Sequence, residues 1–145
     1  MTNETLDDDV AMRLRTADQR YTGGRRRLVA VLSAATAPLT IQQILDTDRK
    51  LAQSSVYRNL AILEQVGAVT RIVTRDDFAR YELAEDLTEH HHHLICSTCG
   101  DVSDFSLTDG IERDLETALR KVARRSSFEI EGHRLDLVGV CGDCR

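Results

Sequence analysis

The apolar positions in the first half of the chain recur at the three-to-four-residue spacing of helices. One stripe follows the glycine pair at 23–24 and predicts a helix from about Arg25; its members are Leu28, Val29, Val31 and Leu32. Pro38 ends this region, and Thr40 is placed to cap a short helix. A further stripe, capped by Ser54 or Ser55, runs to Gly67 and contains Val56, Leu60, Leu63 and Val66.

Beyond Gly67 the pattern changes to the alternation that is typical of strands. Residues 68–74 and 80–83 predict two strands joined by the polar turn Arg75–Asp77. Helix, short helix, capped helix and hairpin together predict a winged helix-turn-helix domain over residues 1–84. The acidic stretch at residues 4–9 is interpreted as a solvated tail.

The second half predicts a small α/β domain at residues 90–145, after a polar hinge at residues 85–89. Residues 90–96 and 102–105 have the character of strands, and residues 128–140 are expected to form one long strand. An amphipathic helix is expected from about Thr108 to Arg125, with Ile111, Leu115, Leu119 and Val122 on its apolar face. The predicted fold class is therefore α+β.

Charge is distributed unequally between the two halves. The chain has 145 residues and a net charge of −5, yet residues 10–60 carry nine basic and three acidic side chains. Residues 86–145 carry seven basic and twelve acidic ones. A basic front half indicates a polyanion-binding module joined to another unit. The sequence shows no signal peptide and no apolar run that could span a bilayer, so we expect a cytoplasmic protein without membrane contact.

All four cysteines lie in two CxxC pairs, Cys96/Cys99 and Cys141/Cys144. Two such turns supply the four thiolates of a tetrahedral structural Zn(II) site, with Zn–S distances of about 2.3 Å. The 41 residues between the pairs mean that the ion would join distant segments. Two disulfides in a secreted protein are the alternative, but paired cysteines in a cytoplasmic protein are more often metal ligands.

Four consecutive histidines, residues 90–93, stand directly before the first CxxC pair. Side chains of an extended strand point to alternate faces, so His91 and His93 share one face while His90 and His92 share the other. One strand can therefore serve two metal sites. A purification tag is one alternative, but tags are terminal and this run is internal; a solvated run is another.

Three segments together resemble the ferric uptake regulator family: QSSVYRNLAILEQVGAV, HHHHLICSTCGDVSDF and HRLDLVGVCGDC. The resemblance extends from about Tyr21 to Cys144, and the order and spacing of the motifs make it specific. It implies a metal-responsive DNA-binding regulator, in which winged-helix domains are hinged to α/β dimerisation domains. The expected partners are a second copy of the chain and a palindromic operator in double-stranded DNA.

The first residues of the third predicted helix are expected to meet base edges in the major groove. Tyr57 can contact a thymine methyl group, and Arg58 can reach a phosphate or a guanine edge. The resemblance places Arg20 in the minor groove, and Arg25 suits a phosphate contact. The complete expected set is Arg20, Arg25, Ser54, Ser55, Tyr57, Arg58 and Asn59. In the alternative interpretation, Tyr57 packs inside and the arginines form a solvated face.

The resemblance also assigns ligands to the two histidine faces. It implies a regulatory site made of Glu82, His91, His93 and Asp104. It implies an additional site made of His90, His92, Glu112 and His133. The family's further ligand from the DNA-binding domain aligns with Pro38, which cannot ligate, so water or another carboxylate must complete the regulatory shell.

Plainer interpretations exist for several of these residues. Glu82 and Asp104 are alternatively ordinary surface carboxylates. Asp109 with Glu112 three residues later is a plausible helix cap and partner. A lone histidine on a strand, such as His133, is usually structural or solvent-exposed.

The regulatory set offers nitrogen and oxygen ligands, which suit Fe(II) or Mn(II), although Zn(II) binds more tightly in the Irving–Williams order. Zinc-sensing relatives commonly use a cysteine there, and this chain has none to spare, so we expect Fe(II). The aspartate at position 104 also resembles the peroxide-sensing branch of the family. The predicted function is metal-dependent transcriptional repression and not enzymatic activity.

Two rival functions come from other classes. One is a metallohydrolase with Glu112 or Glu82 as general base; no HExxH motif supports it. The other is a zinc-stapled module that binds protein, which the basic segment and the capped helix disfavour.

Overall fold

The computed structural model describes residues 3–74 and 78–145. Its N-terminal unit consists, in order, of α1 (Asn3–Thr16), α2 (Gly23–Ala34), β1 (Leu39–Thr40), α3 (Ile41–Thr47), α4 (Gln53–Gln65), β2 (Val69–Val73) and β3 (Ala79–Leu83). Strand β3 lies between β1 and β2 and is antiparallel to both. Helices α2 to α4 and the β2–β3 hairpin form the predicted winged helix. The predicted turn at Arg75–Asp77 lies outside the described residues.

Two of the predicted helix boundaries follow from local hydrogen bonding. Thr40 forms a capping box at the start of α3, because its Oγ1 accepts the Gln43 N–H at 3.2 Å and Gln43 Oε1 accepts the Thr40 N–H at 2.8 Å. Gly67, with a φ of +70°, follows the end of α4 as predicted. Both signals are local in sequence, which is why the pattern alone located them.

The predicted cap of α4 at Ser54 or Ser55 is wrong. The helix begins at Gln53, and both serines lie in its first turn. Ala52 occupies the capping position with extended backbone, and its carbonyl accepts the Val56 N–H at 3.0 Å without a side-chain cap. The serine hydroxyls are therefore not used to start the helix.

The acidic stretch that we expected to be a solvated tail is instead part of helix α1. Leu6, Val10 and Leu14 are four residues apart and only 7%, 0% and 0% exposed. They join the core formed by the helices and the wing, which includes Leu28 and Leu63. The tail prediction failed because it considered the acidic residues alone and not the apolar spacing between them.

The C-terminal unit contains β4 (His92–Cys96), β5 (Val102–Phe105), α5 (Asp109–Arg125) and β6 (Asp136–Gly139). Strand β4 is central, antiparallel to β5 and parallel to β6. The long strand predicted at residues 128–140 is wrong, since β4 pairs with β6 only from His93 opposite Asp136 to Cys96 opposite Gly139. A 3₁₀ turn at Glu85–Leu87 connects the two units.

The C-terminal unit leaves a large apolar surface uncovered. Ala123 is the buried residue of α5, while the exposed apolar side chains of this unit include Ile111, Val122, Phe128, Leu137 and Val138. Large exposed apolar side chains of this kind are typical of an interaction face. Within the described residues, no helix combines the length and the apolar character needed to cross a membrane.

Candidate metal centres and DNA interface

The two CxxC turns meet at one end of the C-terminal sheet. Cys96 ends β4, and Cys141 follows β6, so the parallel pairing of these strands brings the turns together. The sulfur atoms of Cys96, Cys99, Cys141 and Cys144 all lie within 4.8 Å of one another, and all four cysteines are free thiols. The expected cluster of four soft ligands is therefore present.

The electrostatics of the thiols fit a bound cation. Backbone N–H groups of Cys99 and Cys141 point at the sulfur of Cys96 and lower its pKa to about 6. The neighbouring thiols of Cys141 and Cys99 raise the pKa of Cys144 to about 12. One thiol is thus prepared to ionise, and the full set needs a positive ion among the sulfurs to ionise together.

A second group, here called the Glu82 cluster, consists of Glu82, His91, His93 and Asp104. Glu82 belongs to the wing strand β3, whereas the other three residues lie beyond the linker. The Nε2 atoms of His91 and His93 are 3.2 Å and 3.1 Å from the same oxygen of Glu82. Oxygen atoms of Asp104 are 4.0 Å and 3.9 Å from those nitrogens. The four ligand atoms all lie within 4.8 Å of one another.

The far side of each imidazole in the Glu82 cluster is anchored. His91 Nδ1 lies 2.9 Å from the carbonyl oxygen of Glu89, and His93 Nδ1 lies 3.1 Å from Oδ1 of Asp136. Both partners are acceptors, so each Nδ1 carries a proton, and in the metal-free cluster each Nε2 donates to Glu82 in turn; a metal ion would have to replace these Nε2 protons. Asp136 was missed in the sequence, because its position opposite His93 depends on the register of β4 and β6.

The same contacts shift the pKa values of the ligands. The Glu82 carboxylate raises the pKa of His93, against the opposing effect of burial. Burial by itself would lower the pKa of His91, but the Glu89 carbonyl and Glu82 outweigh it and the pKa is raised. Burial likewise works to raise the pKa of Glu82, yet the two histidines hold it below its usual value. Metal binding at this cluster must therefore displace protons.

The third group, here called the Glu112 cluster, consists of His90, His92, Glu112 and His133. The Nε2 atoms of His90 and His92 are each 3.0 Å from an oxygen of Glu112. The predicted grouping of the histidines is therefore present in the structure, although β4 begins at His92 and His90 and His91 precede it. The helix-cap interpretation of Glu112 is wrong, because Thr108 occupies the capping position of α5 and the carboxylate faces the histidines.

Two nitrogen atoms of the Glu112 cluster are buried without a hydrogen bond in the described part of the chain. They are Nδ1 of His92, a residue that is 1% exposed, and Nε2 of His133. His133 Nε2 lies 3.0 Å from Oε1 of Glu112, but the pair lacks the geometry of a hydrogen bond. The Nε2 atoms of His90, His92 and His133 each lie 3.0 Å from a Glu112 oxygen, and such a group of nitrogen and oxygen atoms suits a divalent cation. His90 also contacts Glu85 of the linker through Nδ1.

A cavity of about 580 Å³ lies beside the Glu82 cluster. Ala35 and Ala37 line it from the N-terminal unit, opposite Glu89, His91 and Asp104. Pro38 is buried and has no side-chain donor, as the sequence implied. Glu89 lines the same cavity, and the expectation that water or another carboxylate completes the coordination shell stays a prediction.

The expected DNA-contacting residues differ in accessibility. Tyr57 is 55% exposed, so the interpretation in which it packs inside is wrong. Ser54, Arg58 and Arg20 are also exposed, while Ser55 and Asn59 are partly buried. Arg25 is only 7% exposed, which contradicts the surface position expected for a phosphate contact. DNA contact by the remaining residues stays a prediction.

A winged helix linked to a sheet with three groups of metal-binding side chains defines a metal-responsive DNA-binding regulator. The sequence model of the Ferric uptake regulator family matches residues 16–138. The chain therefore belongs to this family, whose members are transcriptional regulators that bind DNA as dimers.

Individual relatives agree with this assignment. The chain is 38% identical over 96 residues to the Ferric uptake regulation protein of Bordetella parapertussis, covering 66% of this chain and 64% of that protein. It is 34% identical over 137 residues to the protein of that name from Campylobacter jejuni, covering 90% and 83%. The Peroxide-responsive repressor PerR of Staphylococcus aureus is 28% identical over 144 residues, covering 97% and 91%.

Among solved structures, the Helicobacter pylori ferric uptake regulator superimposes with a TM-score of 0.76 at 25% identity, covering 99% of this chain and 94% of that one. That protein is described as having three functional metal binding sites. A zinc-bound manganese uptake regulator has a TM-score of 0.60 at 28% identity, covering 91% and 98%. The relatives thus include proteins named for different metals, and the family alone does not select one for this chain.

Proposed function

We propose that this protein represses transcription as a homodimer, with Fe(II) as corepressor at the Glu82 cluster and Zn(II) as a structural ion at the four cysteines. The observation that carries the proposal is the position of Glu82. It lies on the wing strand and faces His91, His93 and Asp104, which all follow the linker.

Shared ligation across the linker explains how metal regulates DNA binding. Glu82 moves with the N-terminal unit, while the two histidines and Asp104 move with the C-terminal sheet. With a cation held by all four side chains, residues 85–89 lose their freedom to act as a hinge. Half-sites about 34 Å apart accept only some separations of two recognition helices. Fixing the angle between the units therefore favours one DNA-binding geometry.

The donor atoms favour Fe(II) as the regulatory ion. Two imidazole nitrogens and carboxylate oxygens, with no sulfur, suit Fe(II) and Mn(II). The four sulfur atoms form their own group at the far end of the sheet and suit Zn(II). The Glu112 cluster is proposed as an additional divalent-metal site. The soft ligands of the four cysteines would thus serve the structural site, and the harder ligands of the Glu82 cluster would serve the regulatory site.

The exposed apolar surface of α5 and β6 supports the homodimer. A second copy that covers Val122, Phe128 and Val138 would remove these side chains from water and set two α4 helices around a two-fold axis. A two-fold arrangement of recognition helices suits a palindromic operator. Repression of chromosomal genes would place the protein in the cytoplasm.

The test is a DNA-binding titration on the region upstream of the protein's own gene, in buffers of defined free Fe(II), Mn(II) or Zn(II), without oxygen. Zinc content at the cysteines is kept constant. For each metal, the free concentration that tightens DNA binding is compared with that metal's buffered range in cells. We expect the ratio of the two concentrations to be lowest for Fe(II). Glu82→Gln should abolish the response, while the exposed control Glu129→Gln should retain it. A metal response that survives Glu82→Gln would refute the hinge mechanism, and a response to Zn(II) alone would refute Fe(II).

A further inference from the structure

Arg25 occupies an unusual position at the start of α2. It is 7% exposed, and its guanidinium nitrogens donate to three separate acceptors. Nε lies 3.2 Å from Oδ1 of Asn59 in α4, and Nη2 lies 3.2 Å from Oε1 of Gln19. Nη1 donates to the backbone carbonyl of Arg20. One buried side chain thus connects the segment before α2 with the recognition helix.

The acceptors of Arg25 that the described residues provide are two side-chain amides and one carbonyl, all of them neutral. Burying a cation without a carboxylate partner is costly, so simple stabilisation does not explain this side chain. The planar guanidinium does have donors in a fixed fork, and a fork can hold three acceptors at defined angles. The arrangement is suited to setting the relative position of two segments.

A second observation concerns the same contact between α2 and α4. A Cβ atom added to Gly24 would lie 3.3 Å from Nδ2 of Asn59, which is tighter than ordinary van der Waals contact. The absence of a side chain at Gly24 therefore lets the start of α2 approach Asn59 closely. The glycine and the buried arginine both serve the contact between α2 and α4.

We propose that Arg25 and Asn59 are positioning residues that hold the Gln19–Arg20 segment against α4, and that neither contacts DNA. The contact between Arg25 and Asn59, here called the joint, fixes the position of the exposed Arg20 side chain relative to the exposed side chains of Tyr57 and Arg58. Two DNA-contacting elements that are separate in sequence then act as one rigid surface. This inference rests on the proposed DNA-binding function of that surface.

The first experiment measures the salt dependence of binding by fluorescence anisotropy. The probe is a duplex that the metal-loaded wild-type protein has selected from random DNA. Arg58→Met, at an exposed position, is the matched control and should reduce the salt slope by about one. Arg25→Met and Asn59→Ala should weaken binding about tenfold, and neither should reduce the salt slope by more than Arg20→Ala does, because both act on DNA through Arg20. A reduction in Arg25→Met that exceeds the one in Arg20→Ala by about one would overturn the proposal.

Conservative and double variants separate positioning from simple loss of folding. Arg25→Lys keeps the charge but cannot hold three acceptors, so we expect nearly the same loss as in Arg25→Met; a phosphate contact would instead be rescued by lysine. Arg20→Ala should weaken the wild-type protein strongly and the Arg25→Lys variant much less, because the joint no longer presents Arg20. The proposal would be refuted if Arg25→Lys bound DNA with wild-type affinity and the effects of Arg25→Lys and Arg20→Ala were additive.

The two levels of proposal fail in different ways. If the wild-type protein selects no duplex at any metal concentration, the proposed function is wrong and the joint falls with it. If the wild-type protein binds DNA and Arg58→Met behaves as expected, the behaviour of Arg25→Lys tests the joint alone. Thermal unfolding of each variant, with its zinc content measured, establishes that the folded protein is compared.

Discussion

Replacing Asp136 by alanine removes the anchor of one proposed metal ligand without touching the ligand set itself. Its Oδ1 atom is 3.1 Å from Nδ1 of His93, whose Nε2 faces Glu82 on the other side of the ring. Without the acceptor, the ring can rotate, and when the imidazole loses one of its two protons the remaining one can stay on Nε2. In that tautomer the lone pair points away from the cluster. We therefore expect Asp136→Ala to weaken metal binding at the Glu82 cluster.

The magnitude follows from the exposure of the pair. A hydrogen bond to a charged group contributes about 1.5–3 kcal/mol. The Asp136 side chain is 32% exposed, and Nη2 of Arg134 lies 3.6 Å from its other oxygen, so solvent and countercharge place the value at the lower end. About 1.4 kcal/mol corresponds to a tenfold change in affinity. Roughly tenfold weaker binding agrees with the ~10–100-fold effects of outer-shell partners on metal affinity.

Mn(II) titration calorimetry on protein with its zinc retained measures this effect. Asp136→Asn keeps an acceptor but loses the charge and should cost about threefold. Asp114→Ala, an exposed carboxylate on α5, is the control and should bind as the wild type does. ¹⁵N NMR of the imidazoles in the absence of regulatory metal should show the Nδ1 proton of His93 in the wild type and its loss in Asp136→Ala. An unchanged Mn(II) affinity in a folded Asp136→Ala protein would refute the reasoning.

The remaining predictions concern the other sites. Cys96→Ser should purify with less zinc and lose the folded dimer, as measured by metal analysis and sedimentation, because three thiolates leave an incomplete tetrahedron; a folded, zinc-free variant would contradict this. Arg58→Ala should weaken DNA binding with dimerisation and metal content unchanged, and equal affinity at several salt concentrations would return Arg58 to a solvated role. In the wild type, metal should raise the affinity for DNA and DNA should raise the affinity for metal by the same factor. His93→Ala should abolish this coupling, while His92→Ala should lose a different metal equivalent. Equal metal affinity of the free and the DNA-bound wild type would show that the Glu82 cluster is not the switch. Metal affinity should fall as the pH falls through the raised pKa of His93. In the metal-free protein, the Glu82–His93 pair should contribute stability only at pH values between the lowered pKa of Glu82 and the raised pKa of His93. A melting temperature that does not change as the pH passes through these two pKa values would exclude this contribution.

The parts of the fold that were predictable are those with local signals. The capping box at Thr40 and the glycine at position 67 mark helix ends through contacts a few residues apart. The division of the histidine run into two sets needs only the alternation of an extended chain. CxxC spacing likewise places two sulfurs on one turn whatever surrounds them.

The parts that failed depend on contacts between distant segments. Whether Arg25 lies on the surface depends on how closely α2 approaches Asn59. The role of Asp136 depends on which residue of β4 it faces. Residues 128–134 have strand-like composition, but they pair with no strand among the described residues. No periodicity within one segment reports these pairings.

The uniformity of the histidine run has a consequence for how such a protein can evolve. Deleting one histidine, with Cys96 held in place, brings Glu89 into the position of His90 and leaves the other three imidazoles where they were. The Glu82 cluster stays complete, the Glu112 cluster exchanges an imidazole for a carboxylate, and the linker becomes one residue shorter. In a strand of four different residues, the same deletion would change the side chain at the deleted position and at every position before it in the run. Repetition therefore allows the length of the linker to vary by mutation while the regulatory ligands are preserved.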